Sequence, residues 1–77
     1  MKKYKDVNGG SGISFYECGP DCISIKFKDN ATIYTYNYAV TGKKHVEKMK
    51  WLAEKGSGLS TYIAQNPEVR NNYLASE

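Results

Sequence analysis

Residues 22–38 read Cys22-Ile23-Ser24-Ile25-Lys26-Phe27-Lys28, then Asp29-Asn30-Ala31, then Thr32-Ile33-Tyr34-Thr35-Tyr36-Asn37-Tyr38. In the first run Ile23, Ile25 and Phe27 alternate with Ser24, Lys26 and Lys28. A period of two marks a strand with one buried face. The second run alternates Tyr34, Tyr36 and Tyr38 with Thr35 and Asn37. Asp29-Asn30 between them tolerates left-handed backbone, so the pair reads as a β-hairpin. The loop length decides its chemistry. A two-residue loop sets Tyr34 opposite Ile25, on the apolar face. A three-residue loop sets it opposite Lys26, on the polar face. A slip of one residue turns every tyrosine to the other side of the sheet. The tyrosine row is therefore either core or a displayed aromatic ladder, and both registers are open at this point.

Beyond the hairpin the period changes. From Lys43 to Lys55 the residues His45, Val46, Met49, Leu52, Ala53 and Gly56 fall on one stripe at ~100° per residue. That spacing predicts an amphipathic helix, begun at Thr41 or Gly42, packed on the sheet and stopped by Gly56-Ser57-Gly58. Lys43–Glu47 and Lys50–Glu54 are i,i+4 pairs on its flanks. A short second helix over 59–65 buries Leu59, Tyr62 and Ile63, and Asn66-Pro67-Glu68 starts a last helical turn that ends near Tyr73. Before the hairpin, Ile13 to Glu17 reads as a short first strand, with Cys18-Gly19-Pro20-Asp21 as its turn. Residues 1–12 end in Asn8-Gly9-Gly10-Ser11-Gly12, a composition that predicts a flexible basic leader. The expected architecture is α+β: one domain over 13–77, with a three-stranded antiparallel meander, one long helix and one or two short C-terminal helices.

A chain of 77 residues buries only ~60% of its unfolded surface, so the core is small. It is 40% hydrophobic and 25% charged, an ordinary globular balance. No apolar run approaches the ~20 residues that span a bilayer, so no membrane role is expected. The leader lacks the apolar centre of a secretory signal, and the expected location is cytoplasmic. The net charge of +3 is segregated. The leader sums to +2, the helix to +3 and the remainder to −2. Such segregation suits an anionic partner, and it also suits a plain solvated helix face.

From about residue 12 to 63 the chain resembles the KTSC domain, a family named for a C-terminal extension of some lysyl-tRNA synthetases that also occurs as small bacterial and phage proteins. The resemblance lies in Tyr16-Glu17 before a turn, the strand Ile23, Ile25, Phe27, the central Tyr34-Thr35-Tyr36, and Gly56, Leu59 and Ile63 after the helix. Where the family often has Asn-Gly this chain has Asp29-Asn30-Ala31, one residue more. The comparison therefore favours the three-residue loop. The resemblance implies a small antiparallel sheet with helices. It implies no activity, and it carries a suggestion of RNA binding.

The reactive side chains do not form a recognisable catalytic set. Cys18 and Cys22 have three residues between them in a turn, whereas a redox Cys-x-x-Cys has two and sits at a helix N-terminus. A structural zinc site needs four ligands, and His45 is the single histidine. Cys22 reads as a small core residue and His45 as a helix-terminal or core residue. Glu47 and Glu54 lie among lysines as solvated pairs. No Gly-rich loop follows a strand in phosphate-cradling order. The expectation is a non-enzyme with no cofactor and no metal.

Two features invite a ligand. Lys44, Lys48, Trp51 and Lys55 share the helix face opposite the packing stripe. A Trp among ammonium groups stacks on a base while the lysines meet phosphates. The bland reading has Trp51 covered by residues 69–74 or by Tyr4. The second feature is Tyr34 and Tyr36, a stacking platform if displayed and core if not. The leading functional expectation is a non-catalytic module for RNA or single-stranded nucleic acid. The alternative is a protein-interaction adaptor or a self-associating protein, anchored on Trp51 or on the edge of the first strand.

Overall fold

The structure is a computed structural model that describes residues 1–7, 9–29 and 31–76. Among these residues it is α+β. A five-stranded antiparallel sheet carries its helices on one face. In chain order the elements are β1 (Lys2–Lys3), β2 (Ile13–Cys18), β3 (Cys22–Phe27), β4 (Ile33–Asn37), α1 (Lys43–Lys55), α2 (Leu59–Gln65), α3 (Pro67–Arg70) and β5 (Leu74–Ser76). The strands neighbour one another in the order β1-β2-β3-β4-β5. The meander expected from the sequence is its centre, and β1 and β5 are additional edge strands.

The hairpin register is resolved against the family resemblance. Tyr34 lies opposite Ile25 and Tyr36 opposite Ile23, the pairing that a two-residue loop gives. Asn30, at the turn itself, lies outside the described residues. Ile23 and Ile25 are fully buried and Tyr36 is 3% exposed. The physical reason is area: the phenols add apolar surface to a core that a short chain can hardly fill otherwise. Tyr73 then closes over them, its ring 4.8 Å from that of Tyr34 and 6.0 Å from that of Tyr36.

α1 runs over the residues its pattern predicts, and Val46, Met49, Leu52 and Ala53 are buried. Its N-cap is Gly42, with no side-chain cap. Thr41 is buried and its hydroxyl donates to the Asn72 carbonyl at 2.6 Å instead. That bond pins the chain after α3. The last helical turn therefore ends at Arg70 rather than near Tyr73, and the chain returns as β5 beside β4. At the rim of the packing stripe His45 joins three helices. Its Nδ1 is 2.7 Å from the Tyr62 hydroxyl and its Nε2 is 3.3 Å from Glu68.

The leader is a second correction. Lys2 and Lys3 pair with Tyr16 and Phe15. Tyr4 is only 2% exposed, meets Tyr16 edge-on at 6.4 Å, and its hydroxyl accepts from the Leu59 N–H. Val7 N–H then donates to the Gly56 carbonyl at 2.8 Å. Residues 1–7 are thus a strap from the sheet edge to the end of α1. A mobile leader keeps its apolar groups in water, whereas Tyr4 gains burial that its Gly-rich neighbours cannot supply.

Two outcomes follow from this packing. Tyr4→Ala should destabilise by about 3 kcal/mol in urea denaturation, as for other buried aromatics, whereas a free leader predicts no change. Burial pushes the Tyr16 and Tyr36 phenols up to about 12 from 10.0, helped at Tyr16 by the Glu54 carboxylate and at Tyr36 by the neighbouring phenols of Tyr73 and Tyr34. Their neutral forms stabilise the fold fully below pH 10, and that contribution is lost as pH rises towards 12. Tyr36→Phe should therefore flatten the alkaline loss of stability measured between about pH 9 and about pH 12.

Candidate nucleic-acid interface

Successive side chains on a helix turn by ~100°, so positions 44, 48, 51 and 55 fall within ~60° of one another. The buried stripe of α1 lies on the other side, against the sheet. The outer face therefore carries Lys44, Lys48, Trp51 and Lys55 towards solvent. Trp51 is 55% exposed. Lys48 Nζ stands 4.6 Å from the indole centroid and Lys55 Nζ stands 5.0 Å from it. Lys44 is exposed one turn before Lys48.

The ring is bare because both candidate covers are used elsewhere. Tyr4 enters the core, and residues 72–76 are drawn to the sheet by the Thr41 bond and by β4.

The lysines are uncompensated for a similar reason. Glu54 accepts from the Tyr16 hydroxyl at 2.9 Å and lies 3.8 Å from Lys2. Glu47 accepts from the Tyr38 hydroxyl at 2.5 Å and pairs with Lys50 at 3.2 Å. The Tyr38 bond, with Lys50 behind it, holds the Glu47 carboxyl below the usual carboxylate range. So Glu54 pairs with Lys2 and Tyr16 rather than with Lys50, and Glu47 takes Lys50 rather than the Lys43 expected from its spacing. Both acids of α1 are turned towards the sheet. Among the described residues Lys44, Lys48 and Lys55 have no carboxylate partner.

Magnitudes decide what such a face does best. An exposed cation–π contact is worth ~0.5–1 kcal/mol. Stacking of a base on an aromatic is worth ~1–3 kcal/mol. A base stacked on the ring would displace the ammonium groups and leave them free for phosphates on either side of it.

The tyrosines do not join this face. Tyr36 is in the core and is not available for stacking. Tyr34 is half-buried on the helix side of the sheet, edge-on to Phe27 at 5.5 Å and to Tyr73. The physical reason is the hairpin register.

Cys18 and Cys22 are both free. Burial, and then the Glu54 carboxylate, pushes the Cys18 thiol up, which disfavours the thiolate. Glu68, His45 and Tyr62 stand in the order of a carboxylate–imidazole–hydroxyl relay. Burial, and then the Glu68 carboxylate, pushes the Tyr62 phenol up as well. No group of three or more metal-binding side chains occurs among the described residues. No helix is long and apolar enough to cross a membrane, among the described residues.

No protein family, curated protein or solved structure matches this chain.

The exposed ring has a direct optical test, since Trp51 is the single tryptophan. Iodide should quench its fluorescence more strongly than caesium at low ionic strength. The difference should shrink as salt screens the lysines. Equal and weak quenching by both ions would mean a covered ring.

Proposed function

We propose that the chain is a small non-catalytic module that binds RNA or another single-stranded nucleic acid weakly through the outer face of α1. The observation that carries the reading is Trp51, 55% exposed between the ammonium groups of Lys48 and Lys55. The two acids that would neutralise those groups point away from it. In this reading Trp51 stacks on one base, and Lys44, Lys48 and Lys55 contact the phosphates beside it. The sequence resemblance to KTSC domains belongs to the same proposal, and its suggestion of RNA binding points the same way. A protein adaptor anchored on Trp51 is the second reading, because an exposed indole also suits an interface hot spot.

The test is a titration against a short single-stranded RNA over a range of salt. Contact with ~3 phosphates predicts that log affinity falls against log salt with a slope near −2. Trp51→Ala and the double substitution Lys44→Glu/Lys48→Glu should each weaken binding, and the second should also flatten the slope. Association with a protein that survives the charge reversals but not Trp51→Ala would favour the adaptor. An absence of salt-dependent RNA binding would end the nucleic-acid reading of this face.

A further inference from the structure

The other face of the sheet carries no helix, and its composition follows from one irregularity in β2. In a regular strand Ile13 and Phe15 share a face and Tyr16 takes the opposite one. Here the pairing shifts between Ile13 and Phe15: Ile13 lies opposite Phe27, and Phe15 lies opposite Lys26. Ser14 is the extra residue of a β-bulge, a device that re-aims side chains. Ile13 and Tyr16 are both buried as a result, at 1% and 5% exposure, and Phe15 is turned outward at 38%.

Phe15 is directly opposite Lys3 on one side and Lys26 on the other. Directly opposed residues stand with Cβ atoms ~5 Å apart on the same face. A cleft of about 280 Å³ opens beside the ring, with Lys3, Lys5, Asp6 and Lys28 among its walls. The acids near this row are already engaged. Asp6 pairs with Lys28 at 3.5 Å, and Glu17 pairs with the Met1 amino group at 3.6 Å. Lys3 and Lys26 have no carboxylate partner among the described residues.

We propose that this open face, with Phe15 between Lys3 and Lys26, is a second single-stranded nucleic-acid platform on the side of the molecule opposite α1. A base stacks on Phe15, the two lysines take the phosphates before and after it, and the cleft beside the ring receives the adjoining nucleotide. Charge selects this occupant over a second copy of the chain. Two such faces packed together by a two-fold axis would bring Lys3 and Lys26 of each copy against those of the other, with Asp6 and Glu17 already paired within each copy. The cleft is also at the small end of ligand-sized cavities, which suits one nucleotide better than a peptide helix. The inference shares its class of ligand with the reading of α1 but none of its residues. A chain with both faces occupied bridges two strands, or two segments of one.

Nuclear magnetic resonance of the full chain with a short oligouridylate separates the two faces. The expected result is movement of the Phe15 ring and of the Lys3 and Lys26 amides, abolished by Lys3→Glu/Lys26→Glu, while quenching of Trp51 by the same oligonucleotide persists. Phe15→Ala should weaken binding at this face by roughly five- to a hundredfold. Phe15→Tyr keeps a stacking ring and should bind normally, which guards against loss of fold in the alanine variant. Movement confined to α1 would overturn the second platform and leave the first reading intact. Movement on this face that follows protein concentration without RNA would assign it to self-association and overturn the proposal. Movement nowhere would remove both readings.

Discussion

Ile25 lies opposite Tyr34, and the character of both faces of the sheet follows from that pairing. It sends Tyr34 and Tyr36 to the side where Val46 and Met49 of α1 wait. It leaves Ser24 and Thr35, whose hydroxyls are 2.9 Å apart, on the other side with Lys26. The opposite register would expose the phenols and turn Thr35 and Asn37 towards the core, opposite Ile25 and Ile23. The core would then exchange apolar phenol surface for a hydroxyl and an amide, polar groups that are costly to bury without hydrogen-bond partners. The register is therefore set by what the helix side rejects as much as by what it accepts.

The outer face of α1 depends on the same arrangement at one remove. With the sheet fixed, Tyr16 and Tyr38 present hydroxyls to the flanks of the helix, and each takes one of its two acids. These bonds contribute little to stability at exposed sites. Their larger effect is on position, because they hold both carboxylates on the flanks, where neither pairs with an outward lysine. The functional reading rests on the distribution of carboxylates, and the phenols of Tyr16 in β2 and Tyr38 just after β4 control that distribution.

Much of this was legible in the residues. The alternation over 22–27 and the stripe of Val46, Met49, Leu52 and Ala53 report burial locally, within a few residues of one another. The outward position of Trp51 is the complement of that stripe. What was not legible depends on distant partners. Lys2-Lys3 is too short to carry a period, and Tyr4 is buried by Leu59 and Tyr16, which the sequence does not place beside it. β5 forms because Thr41 holds Asn72, a contact over 31 positions. The register turns on a single residue in a turn, and the family comparison pointed the wrong way. The bulge at Ser14 has no compositional mark, so the outward turn of Phe15 was hidden.

Gly56 joins the strap to the end of α1. Its φ of 82° is left-handed, and a Cβ built there would stand 2.6 Å from the Cβ of Lys5. Any side chain at that position must lift the strap or bend it, on grounds of both torsion and space. What rises with the strap is Lys3, two residues away on the far side of the sheet. The make-up of one surface is thus licensed by a missing methyl group at the edge of the other, and the two cannot drift apart independently as the sequence changes.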